Sequence, residues 1–173
     1  MRWIGAGVVL GLVLLRVDCD KPPSCRKLSK MTPTVELGTG SAFFRRLEDG
    51  DDMEVTQGPQ GGMHVWVSAR FTGVMPGDAS SPFDPVNPLL EIVVLDESGE
   101  EIASSTRIGA LKVREDESAE RVGEIVQFTT NRIDDVAWKD ATIELYFLDS
   151  CDTELTDSRE VRLVTGCSEE QTD

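Results

Sequence analysis

The chain has 173 residues, with 32 acidic and 17 basic side chains and a formal charge of -15 at pH 7. Leu, Ile, Val and Phe number 46, too many for a disordered chain even at this charge, and the length allows one domain with a single core. The acidic balance argues against nucleic acid as a partner, because phosphate neutralisation needs clustered Lys and Arg.

The N-terminal residues carry an address. Arg2 and the free amine make a positive start, and Trp3 to Leu15 then runs without a charge. A bilayer span needs about 20 apolar residues. This shorter run matches the apolar centre of a secretory signal, and it lacks the polar face of a packed core helix. Residues 1–18 are read as a signal peptide, and the rest as exported to the periplasm or a cell-envelope membrane surface. Cys19 follows at the distance where a bacterial lipoprotein is cleaved and acylated, which makes it the lipidation candidate and a membrane the first expected partner. Arg16-Val17-Asp18 departs from the small neutral residues such a cleavage site carries, which leaves a different cleavage site or an uncleaved anchor as alternatives. Residues 19–33 read as a tether, with Pro22, Pro23 and Pro33 and the bases Lys21, Arg26, Lys27 and Lys30, which suit a solvated linker or anionic head groups.

From Thr34 onward the hydrophobic pattern has period two. Short strand pieces near Val35, Phe43 and Val55 are parted by the turn Glu48-Asp49-Gly50-Asp51. A second turn, Gly58 to Gly62, leads into Met63 to Phe71, where apolar residues at 63, 65, 67, 69 and 71 alternate with a mostly polar set at 64, 66, 68 and 70. A proline-bearing connection follows, with Pro76, Pro82, Pro85 and Pro88. Leu89 to Leu95 is almost continuously apolar, which predicts a strand covered on both faces. After the turn Glu97 to Glu100 come strands over Glu101 to Ile108, Val122 to Thr129 and Ala141 to Phe147. A last strand contains Val161 and Leu163, after a turn expected at Thr153 to Asp157. Gly109 and Gly123 mark bulges or bends. Short strands at turn-punctuated intervals, with no helical stripe of ten residues, predict an all-β sandwich over 34–167 and a frayed acidic tail at 168–173.

One histidine is present. His64 lies on the non-core face of its strand beside Trp66, Ser68 and Arg70, and Ser68 is roughly 13 Å along that face at strand rise, beyond hydrogen-bond reach. No Gly-x-Ser-x-Gly elbow is present, so no catalytic residue is assigned and an envelope hydrolase is kept only as an alternative. Gly38-Thr39-Gly40-Ser41 lacks the Lys-Ser/Thr pair of a phosphate loop. Asp49, Asp51 and Asp52, with Glu54, crowd one turn. Oxygen-rich loops suit calcium, which makes a calcium-dependent adhesive domain the other alternative, although Met53 and Glu54 occupy positions that exclude an EF-hand. A solvated acidic turn is the ordinary reading, and no other cofactor is expected. Cys25, Cys151 and Cys167 are the disulfide candidates, and no pair has zinc-ligand spacing.

Asp140-Ala141-Thr142-Ile143-Glu144-Leu145 looks like the approach to the penultimate strand of immunoglobulin-like domains, with Ile143 where many carry a corner tyrosine. Together with Glu36-Leu37-Gly38-Thr39-Gly40, Asp49-Gly50-Asp51 and the run from Gly58 to Trp66, the chain resembles exported bacterial lipoproteins with a single Ig-like β-sandwich domain. That resemblance implies a fold and a location, and no activity. With no set of ionisable groups converging on a cleft, the expected role is a non-enzymatic envelope binding or structural module. In Ig-like sandwiches the first strand often runs parallel to the last, so the resemblance favours Cys25 pairing with Cys151 over Cys25 with Cys167. It also places the long connection, with Phe83, beside the final hairpin loop, with Asp152, Glu154 and Asp157. An apolar tip beside an acidic rim would face an envelope protein or glycan. The connection itself is expected to be replaceable without loss of the fold.

Overall fold

The alternating segments become strands in a computed structural model that describes residues 23–82 and 84–166. In chain order the elements are α1 (Pro23–Leu28), β1 (Thr34–Thr39), β2 (Arg45–Arg46), β3 (Asp51–Gln57), β4 (Met63–Thr72), β5 (Leu89–Asp96), β6 (Glu101–Ile108), β7 (Lys112–Val113), β8 (Ala119–Phe128), β9 (Asp140–Leu148) and β10 (Glu154–Thr165). The fold is all-β. Period-two patterning decides which side chains go inside: Met63, Val65, Val67, Ala69 and Phe71 of β4 are each at most 1% exposed. Phe71 meets Phe147 of β9 with ring centroids 4.4 Å apart, among fully buried Leu37, Ile143, Leu145 and Leu163. Each such side chain contributes about 1.5 to 3 kcal/mol by leaving water. Ile143 is part of the core.

Hydrogen-bonded neighbours run β4-β3-β10-β9-β5-β6-β8 and return to β4, a ring of seven strands. β1 lies on β4, β2 on β1, and β7 on β8. The ring is broad within β10, β9 and β5 and narrow at two corners. Only Ala103↔Phe128 and Ser104↔Gln127 join β6 to β8, and Val55↔Val65 to Gln57↔Met63 join β3 to β4. β3 runs parallel to β10 from Asp51↔Val161 to Val55↔Thr165.

Several expectations are corrected. β5 is covered on one face only: Leu90, Ile92 and Val94 are buried and Glu91 is exposed, while Leu89, Val93 and Leu95 are half-buried by cross-strand neighbours such as Leu148 and Tyr146. The last hairpin turns at 149–153. Glu154 to Asp157 belong to β10 and pair with Leu148 to Leu145. The short strand expected near Phe43 is β2, two residues on, and Phe43 itself lies in a strap that crosses the outer face of β1, β4 and β8. Within the expected tether, residues 23–28 are helical.

Three small residues make the strap possible. A Cβ at Gly38 would lie 2.4 Å from the Phe44 ring, and one at Gly123 would lie 2.6 Å from the Ser41 carbonyl. Between them the Ser68 hydroxyl donates to the Gly40 carbonyl at 2.9 Å and accepts from the Gly123 N–H at 3.1 Å. Gly123 takes φ +75° where the β4–β8 register shifts, so the bend expected there is a β-bulge. Phe44 then lies under the Arg70 guanidinium, 4.4 Å from ring centre to Cζ. Arg70 and Arg114 both donate to Glu120, each at 2.9 Å. This cover explains why Ser68, on the polar face of β4, is 1% exposed.

Strand register defines two ends. At the proximal end Thr34 faces Thr72, Phe71 faces Ala119 and Leu89 faces Leu148, and α1 joins the domain there. At the distal end Gln57 faces Met63, His64 faces Gln127 and Asp96 faces Ala141, and β10 finishes there.

Candidate functional site

The proximal end is closed by its own residues. Cys25 of α1 is disulfide-bonded to Cys151 in the last hairpin turn, 126 residues away, with Cα atoms 5.5 Å apart. This is the pairing that the resemblance favours; Cys167 lies outside the described residues, as does Cys19. Asp149, 4% exposed, organises the same end. One carboxylate oxygen accepts from the Cys151 and Thr153 N–H groups at 2.8 and 3.0 Å, and the other accepts from the Met75 N–H at 2.7 Å.

The long connection is folded around Asn87, which is 5% exposed. Its amide oxygen accepts from the Asp78 N–H at 2.7 Å and its amide nitrogen donates to the Ser81 carbonyl at 2.8 Å. Both partners lie within the same connection, so Asn87 orders it from inside. Phe83 lies outside the described residues. Glu154 is exposed and Asp152, at φ +60°, turns the hairpin. Asp157 leaves the expected acidic rim: it is in β10, and its side chain, 14% exposed, accepts from the Leu37 N–H at 2.8 Å and pairs with Arg159 at 2.6 Å. The connection and the hairpin do share an end, but that end is where α1 is joined.

The acidic turn closes main chain. Asp49 accepts from the Glu160 N–H at 3.0 Å and Asp51 from the Glu48 N–H at 2.9 Å, while Asp52 is exposed. Among the described residues no three His, Cys, Asp or Glu side chains come together as a metal set. Asp78, Asp96 and Asp116 each accept from the hydroxyl and N–H of the serine two residues on, and the serine hydroxyl bond is the first cause holding each carboxyl below its ordinary value. The repeated Asp-x-Ser signal was available in the sequence.

At the distal end there is a cleft of about 450 Å³. The turn before β4 forms one wall, held by Gly58 N–H to Gly62 carbonyl at 2.8 Å and Gly61 N–H to Gly58 carbonyl at 2.9 Å. β8 and the chain after it form the other. Pro59, Gln60, His64, Ile125, Gln127 and Asn131 line it. His64 is 9% exposed, its ring 5.0 Å from that of Trp66 in an edge-on arrangement, and its Nε2 is buried without a hydrogen-bond partner among the described residues. Burial lowers the His64 pKa, so the ring is neutral at pH 7. The Ser68 hydroxyl is spent on Gly40 and Gly123 and does not reach this histidine.

Among the described residues no helix is long and apolar enough to cross a membrane. No protein-family model and no curated protein matches the chain. Among solved structures, CopC from Methylosinus trichosporium OB3b is 13% identical over 69% of this chain and 88% of that chain, with a TM-score of 0.33. The beta-glucuronidase of Parabacteroides merdae is 12% identical over 74% of this chain and 13% of that chain, with a TM-score of 0.38. At these scores neither likeness bears on activity or ligand.

Proposed function

We propose that the chain is an exported, non-enzymatic envelope protein: an Ig-like β-sandwich held to a membrane through Cys19 and acting as a binding or structural module. The observation that carries this reading is the Cys25–Cys151 bond, since persistent structural disulfides belong to oxidising compartments. Two further features support it. The narrow β6–β8 and β3–β4 corners divide the ring into two broad sheets, and β3 runs parallel to the last strand, an arrangement in keeping with an Ig-like sandwich. Ser68 is consumed by structure and His64 has no orienting acid, which favours binding over hydrolysis.

The test is fractionation of the full chain in a Gram-negative host. Wild type is expected in the detergent-extracted membrane fraction with Cys25 and Cys151 joined. Cys19→Ser is expected to be released into the soluble periplasm or to keep its signal. A wild-type chain found in the cytosol with both thiols reduced overturns the reading.

A further inference from the structure

The distal cleft differs from the rest of the surface in one respect. In a chain with 32 acidic side chains, none of the residues lining it is charged. Gln60, Gln127 and Asn131 are exposed at it, and none of these three side chains makes a hydrogen bond among the described residues. Each amide offers both donors and an acceptor. His64 adds a neutral ring whose buried Nε2 has no hydrogen-bond partner among the described residues. Between these polar groups lie Pro59, Ile125 and side-chain-free backbone at Gly58 and Gly62. A Cβ at Gly62 would stand 3.0 Å from Gln127 Nε2, so the glycine keeps that part of the cleft open.

An ionic ligand finds no counter-charge here, and a wholly apolar one would strip water from three amides without replacing their hydrogen bonds. A ligand that is uncharged, donates and accepts at adjacent positions and carries an apolar C–H face satisfies every wall. We infer that the distal cleft is a binding site for a neutral saccharide unit, with Gln60, Gln127 and Asn131 as hydroxyl partners, Pro59 and Ile125 beneath the ring, and the neutral His64 ring lining the same wall. The assignment rests on the binding-module reading and names its ligand class. The position fits: α1 joins the opposite end, so a chain held by its N-terminal segment presents this cleft outward.

The full chain in detergent is titrated calorimetrically with neutral hexasaccharides of glucose and of N-acetylglucosamine, and the His64 ring resonances are followed by NMR. Binding of at least one sugar is expected, with His64 shifts that saturate at the same concentration. His64→Phe keeps the packing on Trp66, and Gly62→Val fills the cleft; each should weaken binding at least tenfold while the circular dichroism spectrum and the disulfide stay as in wild type. Should Gly62→Val disturb the hairpin, Gln127→Ala serves the same purpose from the other wall. Overturning results are no binding of either sugar, or binding that His64→Phe and the cleft variants leave unchanged. These outcomes are independent of the fractionation test. Loss of anchoring with intact sugar binding refutes the membrane reading alone, and anchoring without sugar binding refutes the cleft alone.

Discussion

The backbone N–H of Leu37 donates to Asp157 Oδ2 at 2.8 Å, across 120 residues of sequence. Leu37 is fully buried, and β1 runs beside β10 without a backbone ladder between them, so the carboxylate replaces the missing strand carbonyl. Asp157→Ala leaves that N–H unpaired and takes the partner from Arg159. A loss of about 1 to 3 kcal/mol in urea unfolding is expected. Asp157→Asn, which keeps an acceptor, should lose less; equal losses would show that the Leu37 contact contributes nothing.

Removing the disulfide frees a loop of 126 residues in the unfolded chain. In the chain-entropy picture Cys25→Ser or reduction should cost about 4 to 5 kcal/mol. Unfolding midpoints with and without reductant measure it, and non-reduced peptide mapping should recover Cys25 joined to Cys151.

The strap gives a controlled comparison of two glycines. Gly50 has φ +86° with open space where a Cβ would go, whereas Gly123 has φ +75° and the Ser41 carbonyl 2.6 Å from that position. Gly50→Ala should cost about 1 kcal/mol, for backbone conformation alone. Gly123→Ala should cost at least twice that, because backbone must move as well. Equal losses would mean that the strap yields freely.

Acid should weaken the fold in two steps. His64 has a lowered pKa, so the unfolded chain binds its proton first, and stability falls as pH drops below about 6.5. Glu120 is pushed up by burial, but the hydrogen bonds and charges of Arg70 and Arg114 outweigh this and leave its carboxyl below the ordinary value. Its contribution is present above the usual carboxylate range and disappears as pH falls through that lowered value. Unfolding midpoints measured from pH 8 to 3 should lose the upper step in His64→Phe and the lower one in Glu120→Gln. A profile unchanged by either substitution refutes the corresponding assignment.

Strands such as β4 were legible because one face alternates without exception from Met63 to Phe71. β5 was misread because only Glu91 marks its outer face, the other outward positions being Leu89, Val93 and Leu95. Composition also misplaced the last turn: Thr153 to Asp157 is polar enough for a loop, yet the bend is made by Asp149, whose side chain reaches N–H groups two and four residues on. Asp149 was hidden because its partner at Met75 comes from another connection. The distal cleft was illegible for the same reason. His64 was visible as a lone strand histidine, but Gln127 and Asn131 reach it only through β4–β8 pairing, whose register depends on the bulge at Gly123.

The disulfide also sets how the domain carries tension. The N-terminal segment joins at one end and β10 leaves at the other, so a pull between them passes from Cys25 through sulfur to Cys151 and out along β10. The intervening chain lies outside that load path, and at about 3.4 Å per residue roughly 430 Å of polypeptide cannot be drawn out. β10 bears the force along its own length, while β9 and parallel β3 on either side of it lie outside the load path. Single-molecule stretching of the oxidised protein should therefore give a release shorter by that length than the reduced protein, and full-length release from oxidised molecules would show that the bridge does not hold under load.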